Sequence, residues 1–225
     1  MKRIHMGFIA VFVMLSSACV SLPPAYDYSA FRNSDPQSII ILPPTNQSTE
    51  VIAPFSVMTQ MSVPIAESGF YVFPVALVNQ TFQNNGLTEA NDIQAVPIAK
   101  IHEIFGADAA LYIDIQEYGT SYVVISSNTV VTVTARLIDL KTGALLWQGI
   151  SSASSAENRG NSGGGLVGML VEAAVNQIVE TVSDTGFVIS AIASNRLVSS
   201  EIHNGLLHGP RSPKYGQPAT SEKQQ

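Results

Sequence analysis

A serine flanked by glycines stands at Gly160-Asn161-Ser162-Gly163-Gly164, a G-x-S-x-G pattern. In hydrolytic enzymes this pattern makes a strained strand-to-helix turn that exposes the serine hydroxyl as a nucleophile. Asp184 and then His203 or His208 follow in the order such a triad can take. The surroundings argue against it. Ser154-Ser155-Ala156-Glu157-Asn158-Arg159 reads as a loose loop where an apolar strand should enter the turn. Both histidines fall in a Pro/Gly-rich tail, a poor place to hold a base within hydrogen-bond reach of the hydroxyl. The same glycines do not make a nucleotide-phosphate loop, because Gly165 is followed by Leu166-Val167 rather than by Lys and Ser or Thr. Metal ligation is no better supported. His102 stands alone with Glu103 on an expected helix, and His203 and His208 are five apart in a loop. Asp108 and Asp114 share one face of an expected strand but sit at its two ends. No catalytic, cofactor-binding or metal-binding residue is therefore assigned from the sequence.

The remaining chemistry lies at the beginning. Lys2-Arg3 precedes an apolar run from Met6 to Leu15, then Ser16-Ser17-Ala18-Cys19. A basic start, a short apolar stretch and small residues form a secretory signal, expected to be removed after residue 18. The run is too short for the ~20-residue helix that crosses a bilayer. Cys19 is the single cysteine in the chain, so an internal disulfide is impossible and the thiol sits where a diacylglycerol thioether would be added. Ser16 stands where a lipidation motif usually carries Leu, and Leu15 lies one residue further back. Val20 is not the aspartate that resembles an inner-membrane retention signal, so the outer membrane is the expected destination. One diacyl chain binds a membrane only marginally, so further acylation or partner contacts are expected to complete the anchor.

Removing residues 1–18 takes away Lys2 and Arg3, two of the 11 basic residues, against 17 acidic ones, so the net charge goes from −6 to −8. No basic patch is present, which argues against nucleic acid as a partner. Charged residues are 12 % of the chain, about half the usual share. A surface of neutral polar groups suits broad contacts within the envelope.

The elements that would position any site follow from pattern. Residues 19–37, with Pro23, Pro24 and Pro36, read as a lipidated tether, and residues 201–225 as a loop-rich tail. Between them, residues 38–200 form the folded domain. Ser38-Ile39-Ile40-Ile41-Leu42 reads as a strand buried on both faces and stopped by Pro43-Pro44. A helix is expected from Val51 to Glu67, a strand at Phe70–Phe73, helices at Val75–Phe82 and Val96–Phe105, a helical turn at Ala90–Ala95, and a strand at Asp108–Ile115. Val124–Leu140 and Ala144–Ile150, joined by a turn at Asp139–Gly143, make an antiparallel hairpin. Leu166–Asp184 carries a broad apolar face and a narrow polar stripe, and a last helix spans Phe187–Ser199. The expected fold is α/β: a single mixed sheet of about five strands, in two or three layers, with a central antiparallel hairpin and flanking helices.

Two stretches carry a resemblance. Ile39 to Thr49, with its Leu42-Pro43-Pro44-Thr45-Asn46 turn, resembles the opening strand of periplasmic lipoproteins such as the curli-secretion channel protein and the activators of penicillin-binding proteins. Arg136 to Trp147 is similar to their central hairpin. Over residues 37–216 the chain resembles more closely a family of bacterial lipoproteins of unknown function, on the Leu-Pro-Pro start, the glycine loop before an apolar helix and the terminal Leu207-His208-Gly209-Pro210-Arg211. That resemblance implies a domain like the N-terminal domain of the Tol-Pal propeller protein and a curli-secretion-like lipoprotein as neighbour. It implies no catalytic residues.

The expected function is that of a non-enzymatic accessory or assembly factor of a cell-envelope secretion or transport complex, held to the outer membrane through Cys19 and facing the periplasm. Its expected partners are other envelope lipoproteins, a curli-secretion-like protein or further copies of itself. The alternatives are a periplasmic serine hydrolase acting through Ser162 and a binding module for a small envelope ligand.

Overall fold

The computed structural model describes residues 26–123, 126–157, 185–202 and 204–219. Residues 1–18, expected to be a signal peptide, and Cys19, the Gly160–Gly164 motif, the apolar Leu166–Asp184 stretch and His203 lie outside the described residues.

Three consecutive isoleucines build the centre. Strand β1 (Ser38–Ile41) has β3 (Tyr71–Val72) on one side and β4 (Ala109–Val123) on the other, parallel to both. Successive side chains of a strand point to opposite faces, so a strand covered on both sides must be apolar throughout. Ile39 and Ile41 join one apolar cluster, Ile40 and Leu42 the other, and all four are fully buried. Pro43 and Pro44 end β1. Pairing resumes at β2 (Thr45–Asn46), which lies parallel to β4 with Thr45 opposite Asp114.

The rest of the sheet is antiparallel. Strand β4 pairs with β5 (Ser126–Asp139), and β5 with β6 (Leu145–Ser154). The strand order is β3-β1-β4-β5-β6, with β2 beside β4: one open mixed sheet of six strands. Val131, Val133 and Ala135 are buried beneath helices, whereas Thr132 and Thr134 are half-buried and Arg136 exposed on the opposite face. A bulge at Gln116 shifts the register of β4. It brings Tyr118 to the same face as Ile113 and Ile115, where strict alternation would have turned it outward.

Helices cover the parallel half on both sides. Helix α1 (Ser29–Ser34) precedes the sheet. Helix α2 (Ala53–Glu67) links β1 to β3 and packs on the Ile39/Ile41 face. Helices α3 (Val75–Asn84), α4 (Ala90–Gln94) and α5 (Ile98–Phe105) link β3 to β4 over the Ile40/Leu42 face, inserting Val78, Phe82, Ile93 and Ile101. Helix α6 (Thr185–Val198) lies beside α2 and across β5 and β6. Gly149 opens the sheet surface there: an added Cβ would stand 2.6 Å from the Trp147 ring.

Parts of the expected tether and tail pack into the domain. Tyr28 and Phe31 are 1 % and 5 % exposed, and Leu206 and Leu207 are buried with them. Tyr28 Oη donates to Gly205 O (2.5 Å), Tyr26 N–H to Asn204 Oδ1 (2.9 Å), and Trp147 Nε1–H to Asn204 O (2.9 Å). The aromatics of residues 26–31 thus pack into this domain's own core, where the sequence was read as a tether outside the folded domain. The physical reason is Trp147, a large apolar surface on the edge strand β6 whose indole N–H also needs the acceptor that Asn204 O supplies. Further on, Gly209 N–H donates to Ser68 O (2.8 Å) and Arg211 N–H to Gly69 O (3.1 Å), binding the tail to the turn after α2. Gly69 has φ +98°, and a Cβ on it would lie 2.4 Å from Ser212 N.

Candidate functional site

In an open α/β sheet, ligands are received at the carboxyl ends of parallel strands, where the connections leave in opposite directions. Here that point is the end of β1: α2 departs over one face, and the α3–α5 segment returns over the other. A cleft of 350 Å³ opens there, between the Pro43-Pro44-Thr45-Asn46 corner, the start of α2 and the α3–α4 connection.

Local chemistry fixes its walls. Gln94 Nε2 donates to Pro43 O and to Ile113 O, each at 3.0 Å, which ties α4 to the corner. Asn46 Oδ1 accepts from Ser48 N–H (3.0 Å) and Ser48 Oγ (2.8 Å), while its Nδ2 donates to Glu50 O (2.9 Å). This Asx-type turn delivers the chain into α2, whose Pro54 sits in the first turn, where a missing N–H costs nothing. Met58 forms the apolar floor at 5 % exposure, and Phe55 and Val51 stand at the mouth at 55 % and 84 %. Opposite them Asn79 is half-buried, and Gln83, Thr88, Glu89 and Asn91 are exposed. Among the described residues, the side chains of Asn79, Gln83, Thr88 and Asn91 make no hydrogen bond within the protein. Among the described residues, Glu89 is the one charged residue in the lining, and none is Lys, Arg or His. Such a site can hold apolar groups and pair amides. Among the described residues its lining places no nucleophile beside a base.

Ser162, Asp184 and His203 lie outside the described residues, as does Cys19. His208 Nε2 meets Ser200 Oγ at 2.7 Å and its Nδ1 meets Ser212 Oγ at 3.4 Å, between two hollows of 240 and 270 Å³. His102 Nδ1–H donates to Ala107 O (2.8 Å), closing the end of α5. Asp114 accepts from Thr45 Oγ1 (2.5 Å). No group of three or more metal-ligating side chains occurs among the described residues.

Two carboxylates serve the fold at the opposite end of β1. Asp108 accepts from Ser38 N–H (3.1 Å), Ser38 Oγ (2.8 Å), Gln37 N–H (3.2 Å) and Lys141 Nζ (3.0 Å). Asp139 accepts from Ser34 Oγ (2.5 Å), Lys141 N–H (2.9 Å), Thr142 N–H (2.6 Å) and Thr142 Oγ1 (2.9 Å). Burial works to raise both carboxyls. The hydrogen bonds outweigh it and hold both below the usual carboxylate range. Burial also raises the Tyr118 hydroxyl, which donates to Ser56 Oγ (3.0 Å) under α2.

The sequence matches, over residues 26–211, the family described as "Putative lipoprotein GNA1162-like". The chain belongs to the GNA1162-like lipoprotein family. It is 47 % identical over 211 residues to the Neisseria meningitidis serogroup B protein described as "Putative lipoprotein NMB1124/NMB1162", covering 94 % of this chain and 97 % of that one. The crystal structure of lipoprotein GNA1162 from Neisseria meningitidis superposes with a TM-score of 0.53 at 47 % identity, covering 65 % of this chain and all of that one. The PelC dodecamer from Paraburkholderia phytofirmans is a more distant likeness, with 14 % identity and a TM-score of 0.43 over 80 % of this chain and 93 % of that one. No helix among the described residues is long and apolar enough to cross a bilayer.

The cleft itself was missed by sequence reasoning, because its walls come from three separated segments. One signal was available. Helix α2 buries Ala53, Val57, Met61 and Ile65 at helical spacing, which leaves Val51, Ile52 and Phe55 as apolar residues in excess of that face.

Proposed function

We propose that this GNA1162-like protein is an accessory or assembly factor of a cell-envelope complex, anchored to the outer membrane through lipid on Cys19 and acting by binding other envelope proteins rather than by catalysis. One observation carries the reading: the single cysteine of a lipoprotein-family chain directly follows a basic start, a short apolar run and small residues, the pattern of a secretory signal. The surroundings of the folded site agree with a binding role, since the cleft offers apolar surface and amides.

The test is co-purification from cross-linked envelopes of the native protein beside its Cys19→Ala variant, with metabolic palmitate labelling of both. The expected result is label on the native chain alone, with a defined set of outer-membrane or periplasmic proteins recovered with it. Absence of label on the native chain would refute the anchor. Recovery of no partner would refute the accessory role and return attention to Ser162, which a fluorophosphonate probe would then label in a Ser162-dependent way.

A further inference from the structure

We propose that the cleft at the carboxyl end of β1 is a docking groove for an extended segment of another envelope protein that is apolar and basic, an inference that rests on the accessory reading above. Three features of the groove identify the occupant. Its apolar side chains are in surplus: Val51 and Phe55 face water beside the buried Met58, while the core-facing side of α2 is already filled by Val57, Met61 and Ile65. Apolar surface grouped at the mouth of a cleft marks a place for another apolar group, unlike the same residues scattered singly.

The opposite wall is made of amides with spare capacity. Asn79 and Gln83 each carry an acceptor oxygen and a two-proton donor, none of them bonded within the protein among the described residues. Donor and acceptor side by side match the N–H and C=O that an extended backbone presents, which a helix would keep for itself. The charge is one-sided as well. Among the described residues, Glu89 is the only charged group of the lining, and it is acidic. A lysine or arginine on the segment meets opposite charge here, and an acidic segment meets like charge only.

The experiment uses the full lipidated protein in discs of zwitterionic lipid, with empty discs as control. The probes are short fluorescent peptides in which leucine alternates with lysine, serine or glutamate, followed by anisotropy. The leucine–lysine peptide is expected to bind most tightly and the leucine–glutamate peptide least. Phe55→Ser, at an exposed position, should weaken the leucine–lysine peptide about 10-fold. Glu89→Gln should weaken it about 3-fold and leave the leucine–serine peptide unchanged. Thermal melting of each variant separates loss of binding from loss of fold.

Binding that ignores both substitutions, or equal binding of the leucine–glutamate peptide, overturns the proposal. So does a native protein that sediments as a dimer dissociated by Phe55→Ser, because the occupant is then a second copy. If the cross-linked partners remain with both variants, the groove assignment falls and the accessory reading stands. If the native protein itself recovers no partner, the accessory reading falls on its own evidence.

Discussion

Two serines on α6 offer a controlled test of how the core treats a hydroxyl. Ser190 and Ser194 are one helical turn apart, and both are fully buried. Ser190 Oγ donates to Phe187 O at 2.7 Å, whereas Ser194 Oγ has no hydrogen-bond partner, the single such buried side-chain atom among the described residues. A buried hydroxyl left unpaired carries a desolvation penalty of about 1–3 kcal/mol, while a made bond contributes about 1 kcal/mol. Alanine is also favoured over serine in a helix by roughly 0.5 kcal/mol. Ser194→Ala removes the penalty and adds the helix preference, so the protein should gain about 1–2 kcal/mol, or roughly 3–6 °C in Tm for a domain of this size. Ser190→Ala gives up its bond for the same helix preference and should lie within about 1 kcal/mol of the native protein, on the less stable side. Urea unfolding of both variants, with the denaturant slope checked for constancy, measures the difference. The reasoning is refuted if Ser194→Ala is no more stable than Ser190→Ala, since the Ser194 hydroxyl would then have a favourable interaction after all.

Gly69→Ala should cost at least about 2 kcal/mol and expose residues 205–219 to limited proteolysis, because φ +98° and the 2.4 Å approach to Ser212 both forbid a Cβ. Tyr28→Phe leaves Gly205 O without its donor and should lower stability by about 1–2 kcal/mol in the same unfolding assay. Asp108 and Asp139 have folded-state pKa values below the unfolded ones, so the stability they supply is complete at neutral pH. It is lost as pH falls below about 4 and passes through the lowered values. Unfolding curves between neutral and acid pH should show this loss, and Asp139→Asn should be less stable at neutral pH with a shallower acid slope.

The residues differ in how much of this they disclosed. The run Ile39–Leu42 declared a doubly covered strand, and the alternation Val131-Thr132-Val133-Thr134 declared a one-sided one, because period and burial are local properties. The α2 and α5 boundaries came out within two residues of Ala53–Glu67 and Ile98–Phe105. Strand β4 was expected to end at Ile115 and runs to Val123. Its second half carries Gln116, Glu117 and Gly119, and the bulge inverts the apolar parity, so only pairing with β5 reveals it as strand. The docking of residues 26–31 joins positions separated by almost the whole chain, for which no local pattern exists. The cleft shares that illegibility: each wall reads as an ordinary helix start or turn until the sheet brings the three together.

The clasp of Tyr26 and Tyr28 on Asn204 and Gly205 bears on how the molecule would respond to being pulled. In a chain anchored at residue 19, tension enters at Tyr26 and meets that clasp before it reaches any strand. Rupture would release residues 26–34 while β1, held between two parallel neighbours, stays in register. The leash would lengthen by about 30 Å without loss of the cleft. With lipid on Cys19 as proposed, the two clasped segments would act as a mechanical fuse, letting the domain yield in reach while the cleft keeps its shape.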